Sequence, residues 1–536
     1  MVRRTESRSE PQAPAPQPGK GRRGARREAA GASESMFLGL DLLLVLVLGG
    51  VHSLAATYTH AWILQLLAVA GLAFRVSRAS PRRAALLGWV FATAWFVSGT
   101  FWLYVSMHRY GGLPAWMAGA AVVALSAFLA LYLAVAMALF GVLRRNVLVV
   151  DALVFAACWL LAELARELLF TGFPWAASGY AHIDSPLALL APWIGVLGIG
   201  WVAALLGALA VIGFRSGVGP GGLGVITSVA VVGGLAAIQP VNFTRGSGSL
   251  QLSLLQSNVA QDEKFAEDKL PQALVWAATT LQSARGDLIL APETIVPLLP
   301  DQLPEGYWAQ LAAGFQRGDR AALIGVPLGS FEAGYTNSAV GLSRETAKWP
   351  GGFYRYDKHH LVPFGEFIPT GFRWFTELMN IPLGDFNRGP VGAPSFEVKG
   401  QRIAPNICYE DLFGEELAAH FREPERAPTI FANLSNIGWF GDTIALAQHL
   451  NISRMRAIEF QRPMLRATNT GVTAVIDHTG RVTHQLPPLT MGVLQAPVEG
   501  RQGLTPYASW ASRWWLWPLL VGAILSLLIV VPLRRS

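Results

Sequence analysis

Charged residues are scarce in this sequence. They make up 14% of its 536 residues, against roughly 25% in an ordinary soluble domain. Hydrophobic residues reach 52% and occur in apolar blocks of about 18 residues or more, long enough for a helix to cross the hydrocarbon core of a bilayer. Together these features exclude an ordinary soluble protein and a disordered or fibrous one. They predict a membrane protein.

Cysteine is also nearly absent. The two cysteines are Cys158, inside an apolar block, and Cys408, in a polar region. They cannot form a disulfide framework, and neither has the C-x-x-C spacing of a metal site. The adjacent His359 and His360 point apart, and no other His, Cys or Asp group has ligand spacing, so we expect no metal and no cofactor. Cys408 is left as a thiol whose role needs an explanation.

The net charge of +7 does not indicate a nucleic-acid partner. Residues 1–35 hold eight basic and four acidic residues, so they supply +4 of that excess. This segment is rich in Pro, Ala, Arg and Ser and has no apolar periodicity. It cannot bury enough surface to offset its chain entropy, so a disordered tail is predicted.

Eight transmembrane helices are predicted from the apolar segments. The first is interpreted as a retained span, because it lacks the small-residue cleavage site of a signal peptide. The spans cover 37–54, 60–76, 84–106, 114–142, 147–168, 187–213, 222–239 and 514–533. The predicted organisation is a tail at 1–35, seven helices within 36–242, a polar domain at 243–510, and an eighth helix with a short tail at 511–536.

Basic residues in the short loops predict the orientation, because cytoplasmic loops carry an excess of Lys and Arg. With the N-terminal tail inside, the basic residues on the same side are Arg75, Arg78, Arg82, Arg83, Arg144, Arg145, Arg215, Arg534 and Arg535. The opposite short loops hold only Arg109. Both termini are therefore predicted to be cytoplasmic, and residues 243–510 to lie on the outer face of the membrane.

Residues 243–510 change to short β-rich runs that alternate with helical ones, which indicates an α/β or layered α+β domain. Candidate helices are 271–284, 307–317, 415–422 and 444–460. Candidate strands are 250–256, 287–291, 321–327, 337–342, 352–356, 402–408, 429–434 and 471–477.

Three strands are followed by a segment with a reactive side chain. Glu293 lies in A-P-E, Lys358 in Y-D-K-H-H, and Cys408 in P-N-I-C-Y-E. A carboxylate, an ammonium and a thiol that meet at strand ends would supply a nucleophile, its base and a charge stabiliser. Taken singly, each has a plainer interpretation: an exposed turn acid, a solvated surface cation and a small buried hydrophobe.

In this chain order, the three segments resemble the carbon-nitrogen hydrolase (nitrilase) superfamily, in which Glu, Lys and Cys form a catalytic triad. With its eight predicted spans, the chain beyond residue 35 resembles the bacterial apolipoprotein N-acyltransferase family. Other segments that resemble the family are L-S-N-I-G-W-F-G-D at 434–442, Q-H-L at 448–450, and residues 454–459 and 462–471. Phe265 and Ile437 depart from the family, which often has Trp and Asp there. The resemblance implies eight transmembrane helices plus an α+β four-layer αββα sandwich of nitrilase type.

The chemistry of the three residues follows from their side chains. A free thiol with a pKa of about 8.5 is mostly neutral at pH 7, so it needs a base or a nearby cation. Glu293 would take the proton of Cys408 as the sulfur attacks an ester carbonyl, and would return a proton to the leaving alcohol. Lys358 and the backbone N–H after Cys408 would hold the oxyanion.

Three more residues are predicted to support the site. Glu366 lies eight residues past Lys358, where a second carboxylate could orient the lysine or the incoming amine, and the resemblance places the family's additional acid there. Tyr409 and Glu410 directly follow the nucleophile and match positions that the family uses for support. For Glu410, the alternative of an exposed loop acid stays open.

The fifth span carries charges near its predicted outer end. Glu163, Arg166 and Glu167 have i, i+3 and i+4 spacing, so they share one helix face. Charges at that depth are usually functional, but a structural ion pair at the interface is an equal alternative.

Aromatic loop residues are candidates for substrate binding. The segment T-G-F-P-W at 171–175 resembles a family segment near the path of the lipid substrate, which makes Trp175 and Tyr180 candidates. An interfacial anchor is the alternative for Trp175. Trp439, beside Phe440, lies in an apolar loop that could gate lipid access.

The resemblance implies an enzyme that moves an acyl chain from a glycerophospholipid, through a Cys408 thioester, to the N-terminal amine of a diacylglyceryl-cysteine apolipoprotein. The partners would be that donor, that acceptor and the lipid bilayer of the bacterial inner membrane. We expect a monomer. A membrane-tethered nitrilase-like hydrolase is the alternative. A transporter is disfavoured because the spans hold few charged residues.

Overall fold

The computed structural model describes residues 20–215, 217–376 and 385–528. The chain divides into two structural units, residues 1–44 and residues 45–536. The first contains the beginning of helix α1, which runs over Lys20–Thr57. Helix α1 includes residues 20–35 of the segment predicted to be disordered, a stretch rich in the helix formers Ala, Arg and Glu. Residues 1–19 and the predicted C-terminal tail lie outside the described residues.

The apolar part of the chain is helical, as predicted. After α1, its helices are α2 Trp62–Val76, α3 Pro81–Thr100, α4 Leu103–Val105, α5 Ala115–Leu143, α6 Leu148–Leu168, α7 Ala191–Ile212 and α8 Val218–Ala237. Local signals set some of their starts. Helix α3 has Pro81 in its first turn, and the Ser80 side chain accepts a hydrogen bond from the Arg83 N–H.

Within the described residues, six helices are long and apolar enough to cross a membrane, and up to eight spans result if each of two bent pairs counts as one. The pairs are Pro81–Thr100 with Leu103–Tyr110, bent by 61°, and Pro506–Trp514 with Trp517–Leu528, bent by 91°. They overlap the predicted third and eighth spans. The membrane-helical class is confirmed, whereas the count of eight stays a prediction.

A two-sheet domain follows the apolar helices. Its strands are β1 Thr244–Gln256, β2 Leu288–Leu290, β3 Ala321–Ser330, β4 Gly334–Leu342, β5 Tyr354–Asp357, β6 Phe396–Val398, β7 Gln401–Ile407, β8 Ile430–Ser435, β9 Met464–Thr468, β10 Ala474–Ile476, β11 Val482–Gln485 and β12 Gly492–Gly503. One sheet has the order β12-β1-β2-β3-β4-β5, and the other has the order β11-β10-β9-β8-β7-β6. Strands β1, β2 and β3 are parallel, and so are β7, β8 and β9.

The helices that follow β1 in the chain are α9 Leu270–Ser283, α10 Tyr307–Gln316, α11 Arg373–Thr376, α12 Gly414–Ala418, α13 Ala445–Phe460, α14 Pro506–Trp514 and α15 Trp517–Leu528. One apolar cluster joins the facing sides of the two sheets, with Leu254 and Leu323 from one and Ile403 and Leu434 from the other. Helices α9 and α10 cover the outer side of the first sheet, and α12, α13 and α14 cover that of the second. The predicted four-layer αββα sandwich is confirmed.

Four strands were missed in the sequence: β6, β9, β11 and β12. The reasons are identifiable for β9 and β12. Strand β9 is interrupted by a buried Arg466, which breaks the apolar pattern of a central strand. Strand β12 contains Pro497 and several glycines, a composition typical of loops. It lies at the edge of its sheet, where proline is tolerated. The predicted helix at 415–422 is also shorter, since α12 ends at Ala418 and a 3-10 turn follows.

Candidate active site

Glu293, Lys358 and Cys408 each lie just after a strand, as the sequence indicated. Glu293 follows β2, Lys358 directly follows β5 and Cys408 directly follows β7. The Nζ atom of Lys358 is 3.5 Å from Oε1 of Glu293. The charges of both residues act on the thiol of Cys408. The two-sheet packing therefore brings together three side chains that are up to 115 positions apart in the chain.

Cys408 has an unusual backbone conformation. Its φ angle is +53°, in the left-handed region that a non-glycine residue enters at a cost of about 1–3 kcal/mol. Two side chains hold its carbonyl oxygen: Asn433 Nδ2 donates at 3.1 Å, and His449 Nε2 lies at 3.3 Å. The sharp turn from β7 into the following 3-10 helix thus presents the thiol at a strand end, and the surrounding residues fix that turn.

Glu293 is a buried carboxylate surrounded by donors. Asn337 Nδ2 donates to its Oε1 at 2.7 Å, and the backbone N–H of Asn436 donates to its Oε2 at 2.7 Å. The Lys358 ammonium is the third neighbour. Donors of this kind suit an ionised carboxylate, which only accepts hydrogen bonds. The same Asn436 N–H also lies at the Cys408 thiol, so it links the carboxylate to the thiol.

Lys358 is held between two acids. Its Nζ is 2.9 Å from both oxygens of Glu366, one of which also accepts a hydrogen bond from Asn337 Nδ2 at 2.7 Å. The other Glu366 oxygen accepts from the Val362 N–H at 2.8 Å. Burial alone would lower the pKa of Lys358, but Glu366 and Glu293 outweigh it and raise that pKa above its ordinary value. Lys358 is therefore a fixed cation, and Glu366 orients it.

The thiol of Cys408 rests in its neutral form. Burial raises its pKa, and the negative charge of Glu293 raises it further. Lys358 and the Asn436 N–H lower the pKa only in part. A neutral thiol next to a carboxylate needs its proton removed as it reacts, which is the task of a general base.

Glu410 joins the Cys408 turn to the segment that carries Lys358. Its Oε2 accepts from the Ile407 N–H at 2.6 Å and from the Tyr356 hydroxyl at 2.8 Å. Its Oε1 accepts from the N–H groups of His359, at 2.6 Å, and His360, at 3.2 Å. Burial raises the pKa of Glu410 to about 7, although these hydrogen bonds oppose the shift. The alternative of an exposed loop acid is wrong, because Glu410 is only 3% exposed.

Two residues of the site were missed in the sequence. Asn337, on β4, bridges Glu293 and Glu366 with one amide nitrogen. Lys264 is buried and donates to the Glu293 carbonyl oxygen at 3.1 Å. Burial lowers the pKa of Lys264 to about 8, against the opposing charges of Glu293 and Cys408. The sequence feature that could have identified Asn337 is its polar side chain at the start of an apolar strand. Lys264 lies in a polar turn, and only its charge distinguishes it there.

Tyr409 points away from the thiol, towards the apolar helices. Its hydroxyl donates to the Gly172 carbonyl oxygen at 3.3 Å, and its ring packs against Phe413. Gly172 lies in the loop that follows α6 and has a φ angle of +81°. Tyr409 therefore connects the Cys408 turn with the membrane-helical part of the chain.

The three candidates for substrate binding lie in different environments. Trp175 is buried, stacks on His449 with ring centres 5.6 Å apart, and donates from Nε1 to Gln448 Oε1 at 2.9 Å. Tyr180 is buried, and its hydroxyl is 3.4 Å from the Leu412 carbonyl oxygen. Trp439 is partly exposed and packs edge-on against Tyr110. Of the three, Trp439 presents the most accessible ring.

The charged residues at the end of α6 hold the loop that follows. Arg166 Nη2 is 3.3 Å from Glu163 Oε1, and Arg166 Nη1 donates to the Phe173 carbonyl oxygen at 2.6 Å. Glu163 also accepts from the N–H and hydroxyl of Ser178, at 2.7 and 2.9 Å. Glu167 is buried beside them. These contacts favour the structural alternative for Glu163 and Arg166.

Metal-ligating side chains do not cluster in the described part of the chain, where no group of three or more His, Cys, Asp or Glu could hold a metal ion. His359 and His360 have separate partners: Nδ1 of His359 is 2.7 Å from the Gly389 carbonyl oxygen, whereas Nδ1 of His360 is 2.9 Å from Glu416 Oε1.

Two family descriptions match the sequence. Residues 48–209 match "Apolipoprotein N-acyltransferase N-terminal domain", and residues 253–507 match "Carbon-nitrogen hydrolase". The apolipoprotein N-acyltransferase of Verminephrobacter eiseniae (strain EF01-2) is 54% identical over 480 residues, covering 85% of this chain and 89% of the relative. The Ralstonia nicotianae protein of the same name is 44% identical over 521 residues, covering 95% and 97%. That of Bordetella bronchiseptica is 42% identical over 528 residues, covering 91% and 95%. The chain therefore belongs to the apolipoprotein N-acyltransferase family.

Proposed function

We propose that this protein transfers an acyl chain from a glycerophospholipid to the N-terminal amine of a diacylglyceryl-cysteine apolipoprotein, through a thioester on Cys408. The observation that carries the proposal is the strained Cys408 turn, which presents a thiol to the ion pair of Glu293 and Lys358. The same chain contains helices suited to a membrane, where a lipid donor is found. The names of its relatives supply the acceptor class.

The first half-reaction makes the thioester. Glu293 takes the thiol proton while the Cys408 sulfur forms a bond to the ester carbonyl carbon of the lipid. The oxyanion is held by Lys358 and by the backbone N–H of Tyr409, the second residue of the 3-10 turn that begins at Cys408. When the intermediate collapses, the carbon–oxygen bond breaks, and Glu293 returns its proton to the leaving alkoxide. The products are a lysophospholipid and an acylated Cys408.

The second half-reaction makes the amide. The neutral amine of the acceptor attacks the thioester carbonyl, and Glu293 takes a proton from the nitrogen. The carbon–sulfur bond then breaks, and that proton passes from Glu293 to the Cys408 sulfur. Bonds and protons balance over the two steps, and the reaction needs no ATP. Asn337 and Asn436 donate to the two oxygens of Glu293 and so hold its carboxylate in place for both transfers.

An acceptor experiment separates transfer from hydrolysis. The purified protein is incubated with phospholipid and a short peptide bearing an N-terminal diacylglyceryl-cysteine. Acylated peptide is the result expected for a transferase, whereas free fatty acid alone would identify a membrane-tethered hydrolase. Cys408→Ala is inactive in either case, so it serves only as the blank.

The orientation of the protein is a separate part of the proposal. The excess of basic residues in one set of short loops supports cytoplasmic termini and a two-sheet domain on the periplasmic side of the inner membrane. Glu332 and Arg82 are exposed positions on opposite sides in this arrangement. A membrane-impermeant maleimide should label Glu332→Cys in intact spheroplasts, and Arg82→Cys only after permeabilisation. The reverse pattern would invert the topology.

Trp439 is proposed to contact the lipid donor. Its partly exposed ring packs on Tyr110, which belongs to the bent segment after α3, so it lies where the two-sheet domain meets the apolar helices. Trp439→Ser should slow acylation by lipid vesicles more than acylation by a short soluble ester. An equal loss with both substrates would argue against lipid contact. Trp349→Ser, an exposed tryptophan elsewhere in the domain, is the matched control.

A further inference from the structure

A buried polar cluster lies directly behind the nucleophile turn. Its members are His449 and Ser453 on α13, Arg466 on β9 and Asp411 after β7, each at most 1% exposed. The imidazole of His449 is central. Its Nε2 is 3.3 Å from the Cys408 carbonyl oxygen and 3.2 Å from Asp411 Oδ1, and its Nδ1 is 3.0 Å from Arg466 Nη2.

The partners of the imidazole determine where its proton lies. An arginine guanidinium only donates hydrogen bonds, so Nδ1 of His449 must accept from Arg466 and carry no proton. The proton of the neutral ring is then on Nε2, which faces two acceptors, the Cys408 carbonyl oxygen and Asp411. Both ring nitrogens are thus matched to their neighbours in a single tautomer.

We propose that His449 is a positioning residue for the nucleophile: Arg466 fixes its Nε2–H tautomer, and this N–H holds the Cys408 carbonyl so that the strained turn presents the thiol. The inference rests on the proposed role of Cys408. The φ angle of +53° at Cys408 persists only if its surroundings hold it in place, and the carbonyl of the same residue is the group that His449 contacts.

The surroundings of His449 make this contact rigid. Trp175 stacks on one face of the ring at 5.6 Å, with only 19° between the ring planes. Behind the ring, the positive charge of Arg466 is balanced by Asp411, whose Oδ2 lies 3.4 Å from Arg466 Nη1. The Ser453 hydroxyl donates to the same oxygen. Asp411 thus faces the Arg466 guanidinium and two further donors, the Ser453 hydroxyl and the His449 N–H. Asp411 therefore stays ionised as an acceptor.

The same geometry excludes His449 as the base of the reaction. A base must offer an unprotonated nitrogen to the thiol, but the unprotonated Nδ1 of His449 faces Arg466, and Nε2 carries the proton. Glu293 is left as the proton acceptor. The contribution of His449 is therefore geometric, and its loss should change the rate of thioester formation without changing which group takes the proton.

A matched pair of variants tests the N–H of His449. Glutamine and methionine have the same length, but only glutamine ends in an N–H donor. The rate of Cys408 acylation is followed by intact-protein mass spectrometry as a function of phospholipid concentration. His449→Met should lower the maximal rate about 100-fold with an unchanged half-saturating lipid concentration, and His449→Gln should recover at least about 10-fold of that loss.

A second pair tests the role of Arg466 in the tautomer. Arg466→Lys keeps the charge but removes the fork that reaches Nδ1, so we expect acylation to slow about 10-fold. Arg462→Lys is the control, since Arg462 is equally buried but bonds the Pro428 and Gly503 carbonyl oxygens. Arg462→Lys should acylate Cys408 within about twofold of the wild-type rate, although it should lose about as much thermal stability as Arg466→Lys.

The wild-type protein gives a test that does not depend on the activity of any variant. With ¹⁵N-labelled histidine, and His449→Gln to assign the signal, Nδ1 of His449 should resonate as an unprotonated nitrogen and Nε2 as a protonated one. The opposite tautomer, or a doubly protonated ring, would overturn the proposal. So would equal acylation rates for His449→Gln and His449→Met, or equal rates for the two arginine variants. A wild-type protein that never acquires an acyl group would instead refute the proposed function.

Discussion

Replacing Glu410 with Gln should disable the nucleophile turn although only one oxygen becomes an NH₂ group. Each carboxylate oxygen accepts two hydrogen bonds: one from Ile407 and Tyr356, the other from His359 and His360. In either orientation of the amide, its NH₂ faces at least one backbone N–H that cannot turn away. An unsatisfied buried donor costs about 1–3 kcal/mol, and a lost bond to a charged group about 1.5–3 kcal/mol. The variant should therefore lose about 3 kcal/mol or more of stability.

The assay combines unfolding and acylation. We expect Glu410→Gln to unfold at a lower temperature in detergent and to acylate Cys408 about 100-fold more slowly, because the Ile407 N–H immediately precedes the nucleophile. Glu397→Gln, at an exposed position on β6, should match the wild type in both measurements. Wild-type stability and acylation in Glu410→Gln would refute the argument that this carboxylate joins the two segments of the site.

Three further predictions concern the base, the second lysine and the loop after α6. Asn337→Leu removes both amide hydrogen bonds to the two acids and should slow acylation at least about 10-fold while the protein stays folded, as measured by mass spectrometry. The Lys264 cation is lost as the pH rises through its pKa of about 8, so the acylation rate should fall above that pH in the wild type and not in Lys264→Met. The pKa of Lys264 is lower in the folded protein than its ordinary value of 10.5, so the unfolded chain holds this proton more tightly. The free energy of unfolding should therefore rise with pH from about 8 towards 10.5. Gly172→Ala would place a methyl 2.2 Å from a carbonyl oxygen at a φ of +81°, so it should destabilise the protein by at least about 2 kcal/mol in thermal unfolding, whereas Gly365→Ala meets nothing closer than 3.4 Å and should not.

The positions of Glu293, Lys358 and Cys408 after strands were predictable from the sequence, whereas their joint role was indicated only by the resemblance to the nitrilase superfamily. The segments around Glu293, Lys358 and Cys408 follow apolar runs that the period of a strand identifies, and strand ends on two facing sheets converge. Glu366 was predictable from its place in the same segment as Lys358. Asn337 was not, because a polar residue at the start of an apolar strand also occurs at exposed edges, and only the packing of the two sheets turns its amide towards both acids.

Residues between the helices and the sheets were harder to interpret. The aromatic loop that holds Trp175 suggested the level of lipid headgroups, but the structure buries this ring against His449. A sequence does not distinguish an aromatic ring that faces lipid from one that faces protein, since both sites are apolar. Arg466 concealed strand β9 for a related reason. Its charge is stable inside the strand only because it has partners on α13 and after β7, and the sequence does not show those contacts.

In the proposed reaction, the acyl chain passes through the sulfur of Cys408. The direct measurement is the intact mass of the protein after incubation with a phospholipid of a single chain type and no acceptor, with peptide mapping to distinguish Cys408 from the buried Cys158. Cys408 should gain one acyl group, and this gain should be absent in Cys408→Ala and disappear when the acceptor peptide is added. A protein that acylates the peptide in the Cys408→Ala form, or that carries the acyl group elsewhere, would contradict it.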